Sequence, residues 1–275
     1  MRKINYGLIV SDFDGTLVSG DGNIPEINKK AITEYIANGG KFAISTGRLH
    51  YGILPRAKEL GLKGALSCCQ GAVIMDIETG KPLLNGVLSN AVTVEICRKM
   101  EEMHLHIHAY GFTEYYCNMD DAALKSYENA VRMNATLVTD KPLSEFAKET
   151  GLCAYKLLAM VAPKDSARVM QELKAANFAG CVVTQSADFL VEVINAHYSK
   201  GTAVEFLSQY YGVPIEKTIA IGDQHNDIPM IQKAGLGIAV KNADERLKQV
   251  ATVIDYTNDE GAVAAVIEKY GYMED

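Results

Sequence analysis

The chain has 275 residues, which at about 150 residues per domain leaves room for roughly two domains. Lys and Arg total 27 against 34 Asp and Glu, a formal charge of −7, whereas a general nucleic-acid binder needs a basic face to displace counterions from phosphates. With 48% hydrophobic and 22% charged residues, the sequence is too apolar for disorder and can bury a core.

Residues 1–10 hold Arg2, Lys3 and a short apolar run that falls short of a signal-peptide core or a membrane span, so a cytoplasmic location with no membrane partner is expected. Residues 7–11 suit a strand buried on both faces and ended by Asp12. Pro25 can start a helix with Ile27, Ala31, Tyr35 and Ile36 on one face and Gly39-Gly40 as its stop. Residues 41–45 and 64–68 read as further strands, and the alternation predicts an α/β fold with a doubly wound, mostly parallel, Rossmann-like sheet. Near residue 73 the rhythm changes, because Glu78-Thr79-Gly80-Lys81 reads as a hairpin turn.

A helix over 89–103, strands at 105–110 and 113–118 and a helix over 120–133 follow, then a strand at 155–161, a helix over 163–176 and strands at 181–184 and 189–194. This grouping predicts an inserted α+β domain. From residue 199 the βα rhythm returns, with a helix to 211, a strand at 218–222, a helix at 226–234, a strand at 236–240 and helices near 244–250 and 260–270. The expected division is a discontinuous core, 1–84 with 194–275, and an insertion, 85–193, acting as a lid. The cysteines, at 68, 69, 97, 117, 153 and 181, have no Cys-x-x-Cys spacing and read as free thiols of a reducing compartment.

Asp12-Phe13-Asp14-Gly15-Thr16 directly follows the first strand, where side chains at i and i+2 share one side and both carboxylates can face one site. A second acidic cluster, Gly222-Asp223-Gln224-His225-Asn226-Asp227, follows the apolar strand that includes Ile219 and Ile221. In open α/β sheets ligands gather beyond the carboxyl ends of strands, where both clusters would lie. Two carboxylates about 4 Å apart repel by about 4 kcal/mol at an effective dielectric near 20, so four of them brought together need a cation. Oxygen-only donors favour Mg²⁺ over zinc, which prefers His and Cys.

Thr46 and the Gly47 N–H, in Ser45-Thr46-Gly47-Arg48, can cradle an anion beyond the second strand. Lys200 opens a helix, where a cation opposes the dipole; it either neutralises an anion or lies exposed. His104, His106 and His108 alternate, as on one face of a strand. A solvated face above Leu105 and Ile107 is the favoured reading, with a zinc site and a substrate-facing surface as the others. Cross-strand packing is favoured over sugar stacking for Tyr115 and Tyr116.

These motifs, in this order, resemble those of the haloacid dehalogenase-like superfamily, and more closely its Cof-type sugar-phosphatase branch with a type IIB insertion. The matching positions are Asp12 to Thr16, Thr46, Lys200 and Gly222 to Asp227; Gln70 departs from the Asn of many relatives. The resemblance implies a Mg²⁺-dependent phosphatase of small phosphate monoesters, with Asp12 as nucleophile and Asp14 as general acid and base. It implies metal held by Asp12, the Asp14 carbonyl and Asp223 with support from Asp227, and phosphate held by Thr46, Gly47, Lys200 and Asn226. Asp14 is expected to stay protonated among anionic neighbours. A small phosphorylated metabolite is the implied partner, for a monomer or weak homodimer; a phosphomutase and a non-catalytic phospho-ligand sensor are the rival readings.

Overall fold

The protein is described from a computed structural model over residues 2–273. In chain order, β1 (Leu8–Ser11), α1 (Glu26–Ala37), β2 (Lys41–Ile44), α2 (His50–Glu59), β3 (Ala65–Cys68), β4 (Val73–Asp76) and β5 (Pro82–Asn85) come first. Then come α3 (Asn90–Glu102), β6 (His106–Tyr110), β7 (Tyr115–Cys117), α4 (Ala122–Val131), β8 (Thr136–Leu137) and α5 (Leu143–Thr150). They are followed by β9 (Lys156–Met160), α6 (Pro163–Ala175), β10 (Cys181–Ala187) and β11 (Leu190–Asn195). The chain ends with α7 (Lys200–Tyr211), β12 (Thr218–Gly222), α8 (Ile228–Lys233), β13 (Leu236–Ala239), α9 (Glu245–Lys248), β14 (Thr252–Val253) and α10 (Ala262–Val266).

Two compact units form, one from Met1–Leu84 with Ser199–Asp275 and one from Asn85–Tyr198. The first carries a parallel sheet in the order β14-β13-β12-β1-β2. Leu8, Ile9 and Val10 are fully buried, as a central strand covered on both faces requires. The separate sheet β3-β4-β5 lies beside β2, linked by a parallel bridge between Ser45 and Ser67. The expected turn forms between β4 and β5, with the Asp76 carboxylate accepting from the Thr79 N–H at 2.7 Å.

Helix α1 forms where expected but turns a different face inward. Asn28, Ile32 and Tyr35 are its buried residues, and Ile27 is 57% exposed. The reason is Asn28, whose side chain donates to Leu17 O at 3.2 Å and accepts from the Ala264 N–H at 2.9 Å. Those two bonds satisfy a buried amide and fix the rotation of the helix.

The second unit has one sheet, in the order β10-β11-β9-β6-β7-β8. Ile96, Met100, Ile107, Leu157, Val169, Leu173 and Val193 belong to its core, each contributing about 1.5–3 kcal/mol by leaving water. Strand β6 is buried along its whole length, which corrects the expectation of a solvated histidine face. His106 and His108 are buried, and His104 is exposed before the strand with φ +54°. Tyr115 is the register partner of Tyr110 and stacks on it, with centroids 5.2 Å apart.

Candidate active site

Asp12, Thr46 and Asp223 all stand just beyond strand ends. Ser11 of β1 is level with Ile44 of β2 and with Ile221 of β12, and the Asp12 N–H donates to Ile221 O at 2.8 Å. The parallel register therefore delivers the next residues of three neighbouring strands to one edge. Gly15 holds φ +74°, and a Cβ there would strike the Asp223 carboxylate. Only glycine lets the first acidic loop turn against the second. Thr16 completes the join, its hydroxyl donating to Asp223 Oδ1 at 2.7 Å.

Asp12, Asp223 and Asp227 are buried, with one carboxylate oxygen of each within 4.8 Å of the others. Lys200 is buried with them and donates to Asp12 Oδ1 and to Asp227 Oδ1, both at 2.5 Å. The other Asp227 oxygen accepts from the N–H groups of Asp223 and Gln224, each at 2.9 Å. Lys200 is the first residue of α7, where a capping box holds the helix start. The Ser199 hydroxyl accepts from the Thr202 N–H at 3.2 Å, and the Thr202 hydroxyl accepts from the Ser199 N–H at 2.9 Å. The reading of Lys200 as an anion partner, rather than an exposed side chain, fits this position.

Burial pushes the Asp12 carboxyl well above its ordinary range, and the charges of Asp227, Asp223 and Asp14 push the same way against the pull of Lys200. Burial, then the charge of Asp227, raises Asp223 to about 7. Lys200 is pulled down by burial but raised overall by Asp12 and Asp227. One ammonium is thus too little charge for three buried carboxylates. The surplus and the all-oxygen donor set fit a hard divalent cation held by Asp12 and Asp223.

The expectation that four carboxylates converge is corrected at Asp14. Its side chain is 50% exposed and takes a two-pronged ion pair from Arg48, with Nε donating to Oδ2 at 2.7 Å and Nη2 to Oδ1 at 2.6 Å. A cation, not only anions, is its neighbour.

Thr46 is buried, and its hydroxyl accepts from the Arg48 N–H at 3.1 Å. A Cβ on Gly47 would lie 2.6 Å from Gln70 Nε2, the far end of a side chain that would have to shift to admit it. Asn226 donates to Gln70 Oε1 at 2.9 Å, while its own Oδ1 is buried without a hydrogen-bond partner. Gln70, with φ +60°, thereby joins the loop after β3 to the second acidic loop. Sequence reasoning singled out Gln70 only as a departure bearing on substrate contact and gave no separate role to Thr16 or to Asn242, which donates to Gly15 O at 2.8 Å. Thr16 stood within a recognised motif, whereas Asn242 lies 227 positions from its partner and left no local signal.

No helix among the described residues is long and apolar enough to cross a membrane. The sequence pattern of the haloacid dehalogenase-like hydrolases matches residues 9–267. A 5-amino-6-(5-phospho-D-ribitylamino)uracil phosphatase of Bacillus subtilis is 30% identical over 271 residues, 98% of this chain and 97% of that protein. The crystal structure of a haloacid dehalogenase-like hydrolase from Bacteroides thetaiotaomicron superposes with a TM-score of 0.82 at 29% identity, covering 96% of this chain and 99% of that one. The subclass IIB sugar phosphatase BT4131 shares the fold at a TM-score of 0.83 and 19% identity, over 97% and 99% of the two chains. Motif order, strand-end geometry and these likenesses converge: the chain belongs to the haloacid dehalogenase-like hydrolases, in their Cof-type branch, and is a phosphoric monoester hydrolase.

Proposed function

We propose that the protein is a Mg²⁺-dependent phosphatase of small, sugar-phosphate-like monoesters that works through an aspartyl-phosphate at Asp12. The observation that carries this reading is the buried cluster in which Asp12, Asp223 and Asp227 share the single ammonium of Lys200. Asp12 and Asp223, with the Asp14 carbonyl, would hold the metal, and Asp227 would brace it through Lys200 and the backbone of Asp223. The metal's contribution when bound is to offset repulsion between an anionic nucleophile and an anionic phosphate.

An oxygen of Asp12 attacks phosphorus, the bond to the leaving alkoxide breaks, and Asp14 gives that oxygen a proton. Water then attacks the phosphoryl group, Asp14 takes its proton back, and inorganic phosphate leaves with Asp12 restored. Thr46, the Gly47 N–H, Lys200 and Asn226 hold the nonbridging oxygens and the charge that grows on them. For Asp14 to act, Arg48 must let go of its carboxylate; an incoming anion that draws Arg48 away frees the acid as substrate arrives. The inserted unit is then the part that selects the leaving group, and the site serves a cytoplasmic metabolite.

The test is phosphate release from a panel of sugar, nucleotide, flavin and pyridoxal phosphates, with Mg²⁺ and with chelator. Stoichiometric, chelator-sensitive release is expected. Return of phosphate to the substrate would mean a mutase, and no release from any member would mean a sensor. A single turnover in heavy-oxygen water should put the label in the released phosphate and none on Asp12, because water attacks phosphorus; label on Asp12 would overturn that step.

A further inference from the structure

Within the inserted unit, Cys117 of β7 is the register partner of His108 on β6, and His106 lies two residues along on the same face. All three side chains are buried. His106 Nε2 lies 3.1 Å from Cys117 Sγ and 3.1 Å from His108 Nε2, and one ligand atom of each residue lies within 4.8 Å of the others. Tetrahedral zinc with bonds of about 2.0–2.3 Å to nitrogen and sulfur separates its donor atoms by roughly 3.3–3.6 Å. The cluster has nearly that spacing.

Hydrogen bonding does not account for all of these contacts. Asp121 caps α4, accepting from the Leu124 N–H at 2.8 Å. Its other oxygen lies 3.2 Å from His106 Nδ1, so the His106 proton belongs on Nδ1. His106 Nε2 is then a bare lone pair facing both Cys117 and His108. The Cys117 thiol has a competing acceptor in Met119 O at 3.2 Å. With the His108 proton on that lone pair and the thiol proton on Met119 O, Cys117 Sγ still lies 3.1 Å from His106 Nε2 with no proton between them, and donor atoms converging with a carboxylate behind a histidine are how proteins prepare a metal ligand set.

We propose that His106, His108 and Cys117 form a zinc site in the inserted unit, with Asp121 as the positioning residue behind His106. Binding breaks the Cys117 S–H bond, forms the sulfur–zinc bond and releases one proton to solvent, with no change of oxidation state. Two neutral imidazoles, one thiolate and the Asp121 carboxylate balance the doubly charged ion. Nearby Lys156 is already neutralised by Glu192 at 2.8 Å. The site lies outside the carboxylate cluster and has no part in the phosphatase chemistry.

The whole chain, stripped of metal and held in saturating Mg²⁺ to fill the carboxylate cluster, is titrated with Co²⁺. One equivalent should develop a sulfur-to-cobalt charge-transfer band, which oxygen donors cannot produce, and Zn²⁺ should abolish it. Cys117→Ser should lose the band, and Asp121→Asn should weaken zinc binding about 10–100-fold while keeping it. Absence of the band in the unaltered protein, or its persistence in Cys117→Ser, overturns the proposal. Should Cys117→Ser fail to fold, the unaltered protein and His108→Gln decide in the same way.

Discussion

Among the described residues two lysines are buried, one in each unit, and they keep different company. Lys156 of β9 meets Glu192 of β11 at 2.8 Å, beneath the ring of Tyr110 and with the Ser186 hydroxyl on the same carboxylate at 2.9 Å. Lys200 instead sits between Asp12 and Asp227 with Asp223 beside them, and the surplus of acid shows in the raised pKa of Asp12 and Asp223. A balanced buried pair is already satisfied and holds strands in register. An unbalanced cluster keeps an appetite for a further cation, and that excess separates a reactive centre from a structural one.

The difference can be broken most sharply at Asp12. Asp12→Asn should fold normally, because it relieves buried repulsion, yet lose about 10⁴-fold or more in phosphate release. Near-normal steady-state turnover would sink its role. Lys200→Met should lower kcat about 10²–10³-fold and, by stranding two buried carboxylates, cost about 3–5 kcal/mol in denaturant unfolding. Asp14→Asn should lower kcat about 10²-fold or more with its fold intact; wild-type formation and breakdown of the acyl-phosphate would reject it as acid and base.

Acid should act on the other unit. Burial first, then the charges of His106 and Lys156, hold the pKa of His108 down at about 3, against about 6.5 when unfolded. Between those values the unfolded chain binds a proton that the native state refuses. The stabilisation is therefore complete above pH 6.5 and is lost as pH falls, by up to about 1.4 kcal/mol per pH unit. Melting of metal-free protein at pH 7 and pH 5 measures this, and His108→Phe should flatten the slope. The smallest effect is expected where the comparison is balanced. Replacing both partners, Lys156→Met with Glu192→Leu, should leave kcat unchanged and stability equal to the original or slightly higher.

Much of the core was legible because its signals are local: a buried strand followed at once by Asp12 and Asp14, and another by Asp223 and Asp227. What escaped depends on partners far along the chain. Arg48 and Asp14 are 34 residues apart, and Asn28 turned α1 by bonding Ala264, 236 residues away. Helix α2 carries Pro55 inside and has no side-chain cap at Leu49, so it lacks a start signal. Strands β8 and β14 are two residues long, too short for alternation to register. The histidines of β6 read as solvated because polarity alone cannot tell a wet face from a buried cluster.

The capping box at Ser199 also bears on how the chain could be rebuilt. Gly71, at φ +93°, lets the backbone of the loop after β3 press directly on Ser199 O, where any side chain would collide. The return point is therefore anchored by the first unit itself, one residue before Lys200. Exchanging the residues between the two crossings for a module of another size is expected to leave the lysine in place. A graft between 85 and 198 should therefore keep the Lys200 ammonium between Asp12 and Asp227, provided that Ser199 and Thr202 travel with the host.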